Sequence, residues 1–200
     1  MIKRPLLLLT LSLCTLMLQA QVALDSVGRK ADYIQTITGR SQKIVDQLGL
    51  TDATIQQNVR NIIANRYFKL SDISEKFPNG DAQMAELYRH HFELEADLSM
   101  YLNADQIDKV KDGLTYGVVP KTYQAHLEMI PSLKPEEKAQ ILAWLKEARE
   151  FAMDAGTSKD KHAWFGKYKG RINNWLAKRG YNLTKEREEW AKRIESSKKK

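Results

Sequence analysis

Apolar residues return at three- and four-residue steps through every long segment after residue 50, and no stretch alternates with a period of two. Ile55, Val59, Ile62 and Ile63 set this rhythm over 51–77, and Pro78-Asn79-Gly80 then demands a turn. Met84, Leu87, Tyr88, His91, Leu94, Leu98 and Tyr101 carry it through 81–102 as one helix. A short helix is expected over 104–112, then a loop over Tyr116-Gly117-Val118-Val119-Pro120, then another short helix that stops before Pro131. The clearest pattern is 135–155, where Ile141, Leu142, Leu145, Ala148, Phe151 and Ala152 face inward and Gly156 supplies the stop. Helices over 158–179 and 184–195 complete the set. The pattern predicts an all-α fold, a single helical-bundle domain of about six to eight helices over 21–195.

One local motif opens four of these helices: Leu50-Thr51-Asp52, Leu102-Asn103-Ala104-Asp105, Leu133-Lys134-Pro135-Glu136 and Leu183-Thr184-Lys185-Glu186. An apolar residue precedes a side-chain acceptor (Thr or Asn) that can take free N–H groups, and acids follow at the positive end of the helix dipole. Lys134 lacks the acceptor, but Pro135 is a first-turn proline. The copies are unequally spaced, so they read as helix starts and not as units of a solenoid.

Residues 1–20 break the rhythm. Lys3 and Arg4 precede an apolar run from Leu6 to Leu18, and Ala20 is a small residue at a cleavage point before Gln21. The run falls short of the ~20 residues a membrane span needs. It is therefore read as a signal peptide cleaved near Ala20, and the protein as exported, periplasmic or at the cell surface, and not integral to a membrane. Cys14 raises a lipoprotein signal as the alternative, but that processing wants a small residue before the cysteine and Leu13 stands there. Cys14 is the chain's one cysteine, so its removal would exclude disulfides, thiolate metal sites and cysteine nucleophiles. Packing must then stabilise the remaining ~180 residues, enough for one domain. The whole chain carries 32 basic and 25 acidic side chains. In an exported protein this excess points to phospholipid head groups, envelope polymers or acidic polysaccharides, and away from nucleic acid. Ser196-Ser197-Lys198-Lys199-Lys200 has no apolar residue and is read as a disordered basic tail.

Candidate chemistry is sparse. His90 and His91 are neighbours that a helix turns about 100° apart, and no histidine has another three or four residues away. No metal and no cofactor is expected, and His91, on the apolar stripe, is read as a hydrogen-bonded core residue. There is no Gly-x-Ser-x-Gly and no glycine-rich phosphate loop. Glu147, Glu150 and Asp154 fall on one face of the helix over 135–155, where close carboxylates can do acid–base work on a glycosidic bond. The same row also suits a solvated face paired with Lys146 or Arg149.

The segment 157–181 changes the picture most. Seven cations (Lys159, Lys161, Lys167, Lys169, Arg171, Lys178 and Arg179) stand against Asp160, interleaved with Trp164, Phe165, Tyr168, Trp175 and Tyr181. On one helix His162, Phe165, Lys169 and Ile172 share a side, and Trp164, Tyr168, Arg171 and Trp175 share another. Phe165, Ile172 and Leu176 are core on either reading. Gly166 and Gly170 each cost ~1 kcal/mol relative to alanine inside a helix. They call either for a close neighbouring helix or for a backbone left bare to a ligand. Trp164, Lys167, Tyr168, Lys169, Arg171, Asn173 and Asn174 are the candidate ligand-binding residues. Rings stack on the apolar faces of sugars, Lys and Arg pair with carboxylate or sulfate, and amides bond hydroxyls. Trp164 and Arg171 should lie two turns apart on one side, about 10 Å along the axis, within reach of a disaccharide.

Four long strings carry a resemblance: Gly113-Leu114-Thr115-Tyr116-Gly117-Val118-Val119-Pro120, Met129-Ile130-Pro131-Ser132-Leu133, Ala148-Arg149-Glu150-Phe151-Ala152-Met153-Asp154-Ala155-Gly156 and His162-Ala163-Trp164-Phe165-Gly166-Lys167-Tyr168-Lys169-Gly170-Arg171-Ile172-Asn173-Asn174. With 64–73 upstream, they resemble a family of exported Bacteroidetes proteins catalogued as domain of unknown function 3826 and described as sugar-binding. The resemblance spans nearly all of the chain after the leader. It implies glycan capture or degradation in a Gram-negative envelope, and no catalytic or binding residue transfers with it.

The leading expectation is an exported carbohydrate-binding protein for acidic, uronic-acid-containing glycans, with polysaccharide as the partner and binding favoured over catalysis. A periplasmic helical chaperone or envelope-stress adaptor is one alternative, because Leu102-Asn103-Ala104-Asp105-Gln106 looks like the Leu-Thr-x-x-Gln motif of small periplasmic chaperones. A glycan-acting lyase or hydrolase, working through Glu150 or Asp154, is the other.

Overall fold

The computed structural model describes residues 21–78 and 80–198; the leader read in 1–20, with Cys14, and the last two lysines of the tail lie outside them. Every regular element among the described residues is an α-helix, as the periodicity required. α1 (Ala31–Val45) lies upstream of the helices the apolar rhythm marked, and α2 (Ala53–Lys76) follows it. α3 (Asp81–Arg89) and α4 (Glu93–Ser99) replace the single helix expected over 81–102. α5 (Ala104–Leu114), α6 (Val118–Met129), α7 (Pro135–Asp154), α8 (Ser158–Lys178) and α9 (Leu183–Lys198) complete the chain. α9 runs into the segment expected as a tail, where Ser196 and Ser197 donate to the carbonyls of Lys192 and Ile194 (2.9 and 2.8 Å).

The helices start near the motif positions, but the capping atoms differ from those expected. Asp52, not Thr51, accepts from the N–H groups of Thr54 and Ile55 (2.7 and 3.0 Å). Asn182, not Thr184, accepts from Lys185 (3.1 Å). Asn103 and Gln106 form a reciprocal box (2.9 and 3.1 Å), and the N–H of Lys134 donates to Glu137 (2.9 Å). A cap works only from the last non-helical residue, and where acceptors cluster the periodicity does not say which residue that is.

Two large apolar cores organise these elements, beside a small cluster of Ile37, Ala64 and Phe68 between α1 and α2. The first gathers Ile44, Val45, Val59, Ile63, Leu94, Leu98, Val110 and Leu114 from α1, α2, α4 and α5. The second gathers Val119, Met129, Ile141, Leu145, Ala148, Phe165, Tyr168, Ile172 and Leu176 from α6, α7 and α8. α7 serves both, because Met153 packs into the first core and Ala152 into the second. Residues 22–25 run along α2 without forming a helix: Asn58 and Asn65 accept from the N–H groups of Val22 and Asp25, and Asn61 and Asn65 donate to the carbonyls of Val22 and Ala23 (2.7–2.9 Å). Amide side chains on one face of α2 thus stand in for a backbone partner.

Where the cores meet, α7 carries ions instead of hydrocarbon. Arg149, 2% exposed, donates to Asp108 (2.6 Å) and Asp112 (2.8 Å) of α5. Lys111 of α5 bridges Glu95 of α4 (2.9 Å) and Glu150 of α7 (2.8 Å). Arg66 of α2 reaches Asp154 at the C-terminal end of α7 with one Nη and donates to the carbonyl of His90 (2.8 Å) with the other. This last bond accounts for the break between α3 and α4. The buried guanidinium takes the His90 carbonyl, and the His90 backbone sits at φ −98°, ψ 2°. Glu86 (3.2 Å) and Glu93 (2.7 Å) hold its ring, while His91 turns to Asp154. A tertiary ion pair overrides a continuous apolar period.

Two sets of substitutions test this packing. A Cβ at Gly113 would lie 2.9 Å from Cγ1 of buried Ile44, whereas Cβ atoms at Gly166 and Gly170 would meet open space, so no close helix accounts for those two glycines. Gly113→Ala should destabilise by about 1–3 kcal/mol, and Gly166→Ala and Gly170→Ala should each stabilise by up to ~1 kcal/mol. Urea denaturation reads both signs. Arg66→Ala leaves Asp154 without its guanidinium and should cost about 3–5 kcal/mol in the same measurement.

Candidate functional site

The residues of α3 and of the α3–α4 turn stand across from the end of α7 and the first turns of α8, and a groove of about 660 Å³ lies between them. Met84, Leu87, Tyr88 and Phe92 form one side, Phe151 and Trp164 the other. Met84, Tyr88 and Phe92 are all more than half exposed, an apolar stripe at four-residue steps that the rest of the fold leaves uncovered. Phe151, expected to face inward, is 46% exposed. It lies at the edge of the α7 stripe, and its ring stacks on Trp164 (4.6 Å between centroids, 18° between planes) in place of entering the core.

Two polar groups with little exposure line this groove, His91 and Asp154, with side chains 16% and 12% exposed. Nδ1 of His91 is 2.6 Å from Oδ2 of Asp154, whose Oδ1 takes Arg66. A carboxylate accepts only, so Nδ1 carries a proton, and in the neutral form of the ring the lone pair is on Nε2. Nε2 lies 3.8 Å from Oε2 of Glu150, which is itself fixed by Lys111 at 2.8 Å and approached by Arg149 at 3.5 Å. Phe92 packs edge-on against the imidazole (4.8 Å). His91 is thus half-buried and hydrogen-bonded, as read from the sequence, but it lines a groove and is not sealed in the core.

Behind this cluster Lys161 of α8 is 5% exposed and donates to the carbonyls of Ala152 (3.2 Å) and Met153 (3.1 Å) in the last turn of α7, the first of which also accepts the N–H of Ala155. Burial pushes its ammonium down to about 8, with Asp154 opposing the shift and Arg66 adding to it. Lys111 moves the other way: burial disfavours its charge, but Glu150 and Glu95 outweigh that and hold the amine above the ordinary lysine value.

Of the residues singled out from the sequence, Trp164, Lys167, Glu150 and Asp154 come together in the groove, with Lys167 Nζ 5.0 Å from the Trp164 ring. Glu147 points elsewhere, toward Arg171 (3.5 Å) and the hydroxyl of buried Tyr168, which burial and Glu147 together push up to about 12. Arg171 lies over the ring of Trp144 (4.6 Å). It shares a side of α8 with Trp164, but only the first turns of that side line the groove. Lys169 faces His126, whose ring is pushed below its ordinary value by burial and then by that lysine. Asn173 and Asn174 do not line the groove. Met84, Tyr88, Phe92 and the His91 contact were missed, because they arrive from a helix distant in sequence. The one available signal was the large apolar side chains at 84, 88 and 92. Among the described residues no group of three or more His, Cys, Asp or Glu is arranged to hold a metal, and no helix is long and apolar enough to cross a membrane.

All the elements around the groove lie within the region that one protein family matches. The family described as "Protein of unknown function (DUF3826)" matches residues 34–83 and 78–196, and the chain belongs to it. No curated protein matches the chain.

The shift at Lys161 has a measurable sign. Its folded-state value of about 8 lies below the ordinary 10.5, so between them the unfolded chain binds the extra proton. Stability contributed by this group should rise from about pH 8 to 10.5, with its full cost present below that window. In protein labelled with ¹³C-lysine, one lysine side-chain Cε resonance should titrate near 8 and be absent in Lys161→Met.

Proposed function

We propose that the protein binds carbohydrate in the groove between α3–α4 and α7–α8. The observation that carries this reading is the Trp164–Phe151 stack beside the hydrogen-bonding groups His91, Glu150 and Asp154. A sugar ring has an apolar face and a rim of hydroxyls, so it needs a flat apolar plate next to fixed acceptors, and both are present here. A volume of about 660 Å³ suits a short oligosaccharide. Charge refines the ligand. Lys167 is the one Lys or Arg among the lining residues, against Glu150, Asp154 and Asp160. Such a lining favours hydroxyl donors of neutral sugars over the uronic acids that the basic segment suggested, since Lys169 and Arg171 lie outside the groove. The reading takes the protein as exported, on the signal-like 1–20, and agrees with the sugar-binding role that the family resemblance implied.

A chaperone reading draws on the same exposed Met84, Tyr88 and Phe92. Its motif residue Gln106, however, is engaged in the α5 capping box and with the carbonyl of Leu48 (3.2 Å).

A glycan array followed by calorimetry tests the proposal. Binding to neutral glycans with little dependence on salt is expected. Trp164→Ala or Phe151→Ala should weaken it at least tenfold, about 1.4 kcal/mol, while Arg171→Ala leaves it unchanged. Absence of binding across the array, together with suppression of client aggregation, would replace this reading with the chaperone.

A further inference from the structure

The groove holds more than a binding site requires. A sugar that only docks needs acceptors at its rim; it does not need an imidazole oriented by a buried carboxylate, with its second nitrogen facing Glu150 and making no direct hydrogen bond to it. We propose that the groove hydrolyses acyl esters carried on the sugar it binds, with His91 as the general base. The substrate class rests on the carbohydrate reading; the chemistry rests on the cluster itself.

Three features support the assignment. First, Asp154 fixes the tautomer and direction of His91 through Nδ1 (2.6 Å) and is fixed in turn by Arg66, so Nε2 is presented as a proton acceptor. Second, Nε2 and Oε2 of Glu150 are 3.8 Å apart, too far to bond directly but close enough for one water to reach both. Glu150 is held there by Lys111 (2.8 Å), so it positions the water while its oxygens remain acceptors. Third, no serine, threonine or cysteine lines the groove, so the nucleophile is water and not a side chain. Of the three carboxylates in the groove, Glu150 and Asp154 face Lys111, Arg66 and His91, and Asp160 takes the Thr157 hydroxyl, so none is set apart as the acid of a carboxylic-acid glycosidase.

The step balances with water alone. The water oxygen forms a bond to the acyl carbon as one of its protons passes to Nε2 of His91. The tetrahedral intermediate then breaks its bond to the sugar oxygen, which takes that proton from the imidazolium. The products are a carboxylic acid and a free sugar hydroxyl, and His91 returns to its starting state. In this scheme His91 is catalytic, while Asp154 and Glu150 are positioning residues.

Glucose pentaacetate is a suitable probe, because it offers an ester at every hydroxyl position of the sugar and so does not require the natural one to be known. The wild-type chain should release acetate, followed by proton NMR, at least a hundredfold faster than buffer. His91→Asn keeps a donor for Asp154 but removes Nε2, and should return the rate to that of buffer with the melting temperature little changed. Glu150→Gln, at a partly exposed position, should lower it about tenfold and keeps the test available if His91→Asn does not fold. Release no faster than buffer, or an undiminished rate in folded His91→Asn or Glu150→Gln, overturns the proposal. Glycan binding without acetate release would sink this inference and leave carbohydrate binding standing. Acetate release without binding of any unacylated glycan would do the reverse.

Discussion

The contact between Arg66 and Asp154 is the constraint on which the rest of the structure depends. Each partner is buried, and removing either would leave a charge without compensation in a region of low dielectric. The pair ties α2 to the end of α7, and its remaining hydrogen-bonding capacity decides two further features. The second Nη holds the His90 carbonyl and breaks a helix; the second carboxylate oxygen takes His91 and orients its ring. One ion pair therefore joins the two apolar cores, ends α3 and sets the polar face of the groove.

The seam between the cores follows the same logic. Hydrocarbon packing tolerates sliding and repacking, whereas Arg149 between Asp108 and Asp112, and Lys111 between Glu95 and Glu150, admit one register. Helices from the two halves are thereby held in fixed relation, and the groove forms at the margin of that seam. Its apolar walls remain uncovered because α3 rests on α2 and contributes no residue to either core. A surface that is rigid at its base and apolar at its rim is what a stacking ligand requires.

Much of this was legible from the chain. The all-helical class, the limits of α2, α7 and α8, and the core roles of Phe165, Ile172 and Leu176 follow from a 3.6-residue period that burial enforces residue by residue. The aromatic and basic segment stands out in the sequence, but it divides in space. Trp164 and Lys167 reach the groove, Tyr168 enters the core, and Lys169 and Arg171 meet His126 and Trp144. Composition gives the inventory of a helix face without saying what covers it.

What the sequence by itself determined is local: where apolar stripes run, where N–H groups need caps, and where proline and glycine interrupt. These depend on neighbours within one or two turns. What only the tertiary structure decided is long-range. The break at His90, the outward Phe151, the approach of Ile44 to Gly113 and the meeting of His91 with Asp154 each join residues far apart in the chain. A buried charge must find its partner wherever the fold brings one, and that requirement outweighs the fraction of a kilocalorie per residue by which helix propensity acts.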